Sequence, residues 1–363
     1  MKKVFVSGCF DILHGGHIEF FTQAKSLGDY LIVSFANQEV LLKHKNRKSS
    51  IPDEHKKRLM EAISVIDEVV IGDSLDREGL DFIEHFNRLK PDILAATEDD
   101  KYKEDKTKLC EASPWNPKYV VLEKTLNFNK ISTSEIINWI KAPKEVPLRV
   151  DFAGGWLDVP KFSIAGASIV NCSISPTVSI GKWGYNIGGG LGGSAAYAIL
   201  NGKNGVTSEL DLGVGWQDPA VIKETGLCVW RSGMKPVLEA KYNPDWLNGL
   251  MAIKWNGNPH KTYEFVDNKR DFEKIRQAAN IAKAACSLKN IEMLMHAVRM
   301  SYDVQLEEGM DEIYYDDNIC AVKYCGGGFG GYVLYLFNSQ EARELFVETN
   351  GAIRIEPYLG EIN

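Results

Sequence analysis

No stretch of this 363-residue chain approaches the ~18–20 continuous apolar residues that a membrane-spanning helix requires. The N-terminus enters directly into a strand-like run, without the charged-then-apolar layout of a signal peptide, so no leader is expected. Long basic runs are lacking as well. The net charge is −7, which argues against nonspecific nucleic-acid binding. The short basic cluster from Lys43 to Lys48 suits gripping a phosphate better than tracking a duplex. The seven cysteines are odd in number and irregularly spaced, which excludes a disulfide framework and fits reduced thiols in a cytoplasmic protein. Cys9 and Cys325 lie inside glycine motifs and read as small apolar fillers. There is no internal repeat and no low-complexity tract. What remains is an ordinary globular composition, 44% hydrophobic and 25% charged, at a length that suits two domains.

The most informative segment is Gly8-Cys9-Phe10-Asp11-Ile12-Leu13-His14-Gly15-Gly16-His17. It follows the apolar run Val4-Phe5-Val6, a buried parallel strand, and leads into Ile18-Glu19-Phe20-Phe21, a helix start. Two histidines three apart thus sit at a strand-to-helix turn, where free backbone N–H groups and the helix N-terminus favour an anion. Imidazoles placed there can donate hydrogen bonds to a triphosphate as charge builds in the transition state. A lone His-x-x-His usually means nothing, or half a metal site.

Further strands are expected at Leu31–Phe35, Val69–Ile71, Asp92–Ala96 and Lys118–Leu122, with helical spacing over Asp53–Ile66, Glu78–Leu89 and Ser134–Lys141. This alternation implies an α/β, Rossmann-like doubly wound parallel sheet with ligands at the strand C-terminal ends. The proline-bearing stretch before Leu148 reads as a linker. The expected division is therefore residues 1–142, a linker at 143–147, and residues 148–363.

The filled Gly-x-Phe-Asp-x-x-His-x-Gly-His pattern resembles the signature of the cytidylyltransferase-like nucleotidyltransferases, among them the glycerol-3-phosphate cytidylyltransferases and heptose-1-phosphate adenylyltransferases. The resemblance extends to the lysines near Lys43 and to Glu54-His55-Lys56 with Asp67-Glu68-Val69, where Lys56 replaces the family's arginine. It also covers Lys130-Ile131-Ser132-Thr133-Ser134, which by itself would be a plain helix N-cap. It implies that His14 and His17 are catalytic. Gly8, Cys9, Phe10, Asp11, Gly16, Lys43, Ser132 and Thr133 would bind ATP or CTP. Ala96-Thr97-Glu98-Asp99-Asp100 departs from the family's glycine-rich pattern, which leaves base choice open.

The second half carries three glycine clusters. They are Phe152-Ala153-Gly154-Gly155-Trp156-Leu157-Asp158-Val159-Pro160, Gly188-Gly189-Gly190-Leu191-Gly192-Gly193-Ser194-Ala195-Ala196, and Cys325-Gly326-Gly327-Gly328-Phe329-Gly330-Gly331. One such cluster is a tight turn. The middle one, entering an Ala-rich helix, has the make-up of a phosphate loop with Ser194 in reach of Mg²⁺. In this order the three resemble the motifs of the GHMP kinases, most closely the branch acting on fucose and on heptose 7-phosphate. The resemblance implies an α+β kinase fold using ATP and Mg²⁺. Gly190, Gly192, Gly193, Ser194 and Ala195 would meet the nucleotide, and Ser194 the metal. Arg149, Gly155, Asp158, Gly327 and Gly328 would meet the substrate, and Asp218 in Gly215-Trp216-Gln217-Asp218 would be the catalytic acid. The first and second motifs are separated only by residues 161–187, shorter than in full-length relatives, with Gly181–Asn186 as a shortcut.

Together the halves imply a bifunctional sugar kinase and sugar-1-phosphate nucleotidyltransferase making a nucleotide-activated heptose or deoxysugar. Its partners would be sugars or sugar phosphates and nucleoside triphosphates, with no nucleic acid or membrane, and a homodimer is compatible with the resemblance. Two alternatives stay open: a nucleotidyltransferase with an inactive sugar-binding kinase-like domain, and a non-catalytic nucleotide and sugar sensor.

Overall fold

In the computed structural model, the described residues are 1–124, 131–259, 262–313 and 319–362; Lys130 of the Lys130–Ser134 motif lies outside them. The chain divides into two compact units, Met1–Ile137 and Asn138–Asn363.

In chain order the first elements are β1 (Lys3–Gly8), α1 (Gly15–Ser26), β2 (Tyr30–Ala36), α2 (Gln38–Lys45), α3 (Asp53–Glu61) and β3 (Glu68–Gly72). They are followed by α4 (Ile83–Leu89), β4 (Ile93–Thr97), α5 (Lys103–Ala112), β5 (Lys118–Leu122) and α6 (Thr133–Ile140). The five strands form one parallel sheet in the order β3-β2-β1-β4-β5. Alternate residues of each strand serve opposite faces. Val4, Val6, Leu31, Val33, Ile93 and Ala95 pack with Phe21 and Met60 on one side. On the other, Phe5, Ile32, Val70 and Leu94 pack with Phe82, Phe86 and Cys110. Strand order reverses between β1 and β4, so the β1–α1 turn carrying the histidines opens at the switch point, where open α/β sheets bind ligands.

The five expected strands are present, and two helices are shorter than expected. α4 starts at Ile83 rather than Glu78, because Gly79 adopts φ +76° and cannot begin a right-handed turn. α3 stops at Glu61, and Ile63 and Ile66 then close successive turns back onto Met60 and Ile63.

The second unit continues with β6 (Val146–Ala153), β7 (Ser168–Val178), α7 (Gly193–Leu200), α8 (Gly205–Asp211), α9 (Gln217–Glu224), β8 (Leu227–Arg231) and β9 (Leu238–Tyr242). After these come β10 (Met251–Trp255), α10 (Phe272–Leu288), α11 (Ile291–Glu307), β11 (Ile319–Tyr324), β12 (Tyr332–Phe337), α12 (Gln340–Asn350) and β13 (Ile353–Pro357). Its sheet has eight strands in the order β11-β12-β10-β13-β7-β8-β9, with β6 also on β7. All its pairings are antiparallel, which makes this unit α+β.

The expected linker is corrected at its end: Val146 and Pro147 belong to β6. Pro147 is tolerated because β6 pairs on one side only and its register with β7 shifts between Val146 and Leu148, so no ladder donor is lost. Cys325 is a core filler, as expected: it is buried in the main cluster, where burial pushes its thiol up to about 12. All seven cysteines are free.

Candidate functional site

In the first unit the site is built around the start of α1. His14 is the N-cap residue, with φ −144° and ψ 169°, and its side chain does not cap the helix. Its ring instead stacks on that of His17, with centroids 3.8 Å apart, and Phe10 meets His17 edge-on at 5.2 Å. Nδ1 of both histidines is buried without a partner among the described residues. Buried polar atoms are rarely left so, and two together at a helix N-terminus are suited to receive an anion. Burial, and secondarily the neighbouring His14, pushes His17 down to about 4. His14 is also lowered by burial, with Glu135 acting against the shift. Both rings are therefore neutral donors at neutral pH.

The start of α6 closes on this turn. Ser132 N–H donates to Glu135 Oε2 at 2.6 Å and Ser132 Oγ accepts from Glu135 N–H at 3.2 Å, a reciprocal capping box. Thr133 Oγ1 donates to the Ile12 carbonyl at 3.3 Å, which ties the α6 start to the histidine turn.

Several of the other residues singled out in the first unit have partners within the protein. Asp11 is fully buried. It accepts from Arg47, from Ser49 Oγ at 2.9 Å, and from Ser50 N–H and Oγ at 2.7 and 2.8 Å. Burial opposes its charge, but these donors outweigh it and hold the carboxyl below its usual range. Asp11 thus anchors the 47–50 loop beside the turn. Lys43 pairs with Asp76 at 3.1 Å on the surface. Lys56 is buried, donating to the Ala36 carbonyl at 3.1 Å with its ammonium 4.6 Å from the Phe35 ring centroid. Cys9 is half-buried against Ala36, Val40 and Leu41. Gly8 ends β1, and Gly16 lies in the first turn of α1.

In the second unit, a cavity of about 800 Å³ is lined by Gly155, Asp158, Asp218, Gly327 and the loop Gly188–Ser194. The loop enters α7 through Gly192, whose φ of +77° makes the left-handed entry a glycine position. Trp183 of the shortcut closes part of the wall, and the neighbouring Tyr185 donates to the Pro176 carbonyl at 2.7 Å. Arg149 and Asp151 stitch the glycine segments together. Arg149 Nε donates to Asp218 Oδ1 at 2.6 Å, and its Nη1 to the Gly190 carbonyl at 2.8 Å and to Asp151 Oδ1 at 3.3 Å. Asp151 also accepts from Lys323 and from Gly326 N–H. Arg149, expected at the substrate, does line the cavity, and its buried guanidinium spends these donors on Asp218, Asp151 and the Gly188–Ser194 loop.

Two further expected ligands are absent from the cavity lining. The side chain of Ala195 is fully buried in the core, on the inward face of α7. Gly328 does not line the cavity; it packs on Met310, where a Cβ would fall 2.3 Å from the sulfur.

The sequence reading missed Glu209. Buried on α8, it lines the same cavity and hydrogen-bonds Ser194, while its Oε1 has no partner among the described residues. Burial, then Asp218, pushes it up to about 7. Ser194 and Glu209 Oε1 together offer hard oxygen ligands suited to Mg²⁺. Nothing in the sequence marks a glutamate on a seven-residue helix; only its placement beside Ser194 does.

A model of the cytidylyltransferase-like family matches residues 5–138. The FAD synthase of Pyrococcus horikoshii is 35% identical over 139 residues, 38% of this chain and 91% of that one. The glycerol-3-phosphate cytidylyltransferase of Bacillus subtilis is 41% identical over 85 residues, 23% of this chain and 65% of that enzyme. The chain spans between 64 and 68% of the length of further FAD synthases that it matches. Among solved structures, the mevalonate kinase of L. major is 13% identical with a TM-score of 0.42, the match covering 60% of this chain and 97% of that one. With paired histidines at the switch point of a parallel sheet, and a relative of this identity covered over almost its whole length, the chain belongs to the cytidylyltransferase-like family.

Proposed function

We propose that the chain is a bifunctional enzyme, a sugar kinase joined to a sugar-1-phosphate nucleotidyltransferase, whose product is a nucleotide-activated heptose or deoxysugar. The stacked His14 and His17 with orphaned nitrogens carry the nucleotidyltransferase half of this reading. The nucleoside triphosphate lies with its phosphates over the N-termini of α1 and α6. An oxygen of the sugar 1-phosphate attacks the α-phosphorus, and the bond to pyrophosphate breaks. His14 and His17 donate to the phosphoryl oxygens as charge accumulates, so no covalent enzyme intermediate is needed. One relative is named for FAD synthesis and another for cytidylyl transfer, so both ATP and CTP are candidate donors.

In the second unit the reading is of a GHMP-type kinase. The Gly188–Ser194 loop cradles the phosphates of ATP, and Asp218, oriented by Arg149, accepts the proton of the sugar's anomeric hydroxyl. Asp158 and Gly155, which line the same cavity, would hold that sugar. Mg²⁺ bound through Ser194 and Glu209 would neutralise the transferring phosphoryl group. The test is to incubate the protein with Mg²⁺, ATP or CTP, and a panel of sugars and sugar phosphates, scoring ADP and pyrophosphate separately. The proposal expects ADP from a free sugar or sugar phosphate and pyrophosphate from a sugar 1-phosphate. Pyrophosphate without ADP across the panel would leave only the nucleotidyltransferase.

A further inference from the structure

Four buried side chains form a line that ends at the cavity wall, where Gln217 and Asp158 lie. Trp230 Nε1 on β8 donates to Asn171 Oδ1 on β7 at 2.9 Å, and Asn171 Nδ2 donates to Gln217 Oε1 at 3.3 Å. Gln217, the first residue of α9, donates to Asp158 through Nε2 at 3.2 Å and through its backbone N–H at 3.1 Å. All four are at most 7% exposed. The direction of the line is fixed by chemistry. An indole N–H can only donate, so Asn171 must turn its oxygen to Trp230 and its amide nitrogen to Gln217. Gln217 must then present its nitrogen to Asp158. The carboxylate end is fitted as closely: a Cβ on Gly215 would lie 1.7 Å from Asp158 Oδ2, so only glycine lets the carboxyl reach this place.

Among the described residues Asp158 has no ion pair. Arg149, whose charge acts on it, is taken by Asp218 and Asp151, and the carboxyls of Asp218 and Glu209 also act on Asp158. Burying an acceptor this way is costly unless further donors arrive from the cavity. Accordingly burial pushes Asp158 up to about 7, against the pull of the Gln217 backbone N–H.

We propose that Trp230, Asn171 and Gln217 form a one-way relay that locks Asp158 as a hydrogen-bond acceptor for the hydroxyl groups of a polyol in the cavity. This makes Asn171 and Gln217 positioning residues for the acceptor substrate. The polyol assignment rests on the kinase reading above; the relay does not.

The near-isosteric Asn171→Asp tests the relay by reversing it. A carboxylate at 171 still accepts from Trp230 but forces the Gln217 amide to flip, turning its oxygen on Asp158, which must then keep its proton. Thermal melts of the full chain are read between pH 5.5 and 8.5. Asn171→Asp should lose stability with rising pH more steeply than wild type, with the midpoint of that loss moved up by about one pH unit or more. Adding Asp158→Asn should restore stability, because an amide at 158 can donate to the flipped Gln217. Trp230→Phe, which removes only the terminal donor, should shift the profile the same way by less, and serves if Asn171→Asp does not fold. In turnover, Asn171→Asp should raise the acceptor KM about tenfold or more with a smaller change in kcat. An unchanged pH profile in Asn171→Asp, or no recovery on adding Asp158→Asn, would overturn the relay. Absence of ADP formation by wild-type protein would overturn the kinase reading, and the polyol with it, while the melts still decide the relay.

Discussion

At neutral pH the imidazole of His17 carries no charge, because burial and the stacked His14 hold its pKa near 4. In the proposed reaction it would act as a neutral donor, whose hydrogen bond to a phosphoryl oxygen strengthens only as charge develops there. His17→Ala should slow pyrophosphate release by about 10²–10³-fold, the scale of losing one such donor. The melting temperature should stay close to that of wild type; near-normal turnover in the folded variant would remove the histidine's assigned role. The same lowered pKa has a consequence for stability. Above pH 6.5 the residue is neutral folded and unfolded, whereas between 6.5 and about 4 the unfolded chain binds a proton that the native state does not. Its contribution is thus present above pH 6.5 and is lost as pH falls toward 4. Melts of wild type and His17→Asn over this range should converge as pH falls, the variant lacking part of the acid-side loss; parallel curves would contradict the buried, neutral ring.

Between residue and domain, the elements show which interactions hold the site in place. Asp11 gathers donors from Arg47, Ser49 and Ser50, and so fixes the loop between α2 and α3 next to the histidine turn. Asp11→Asn keeps the shape but loses the charge facing Arg47, which should cost about 1.5–3 kcal/mol. Trypsin should then cut after Arg47 and Lys48 faster than in wild type, and an unchanged cleavage rate would show that the loop is held by something else. The sheet of the first unit was legible in the sequence because runs such as Val4–Val6 and Leu31–Phe35 are buried on both faces and read as continuous apolar segments. The glycine motifs likewise marked the cavity walls. What local pattern could not carry was pairing across long separations. Arg149 meets Asp218 across the fold, Glu209 meets Ser194, and Asp11 turns inward to a loop that begins at residue 47. Arg149 and Asp11 looked like ligand-facing groups until their protein partners were known, and Glu209 carried no local signal at all. Pro147 misled for a related reason, since only the position of β6 in the sheet decides whether a proline fits.

The whole molecule consists of two compact units, to which the proposed function gives separate chemistry. The five-stranded sheet is complete before Ile137, with hydrophobic layers on both faces. Residues 1–142 alone should therefore give a cooperative melt and release pyrophosphate from a triphosphate and a supplied sugar 1-phosphate; an unfolded fragment by circular dichroism would contradict that independence. That one chain carries out two transfer reactions in sequence is decided by assaying ADP and pyrophosphate together in wild type, His17→Ala and Asp218→Asn. Asp218→Asn keeps the size of the side chain but removes its ability to accept a proton. Asp218→Asn should abolish ADP formation while pyrophosphate release from a preformed sugar 1-phosphate is unchanged. His17→Ala should do the reverse. If wild-type protein makes no ADP from any sugar, or if either substitution silences both products in a folded protein, the two-reaction account is wrong.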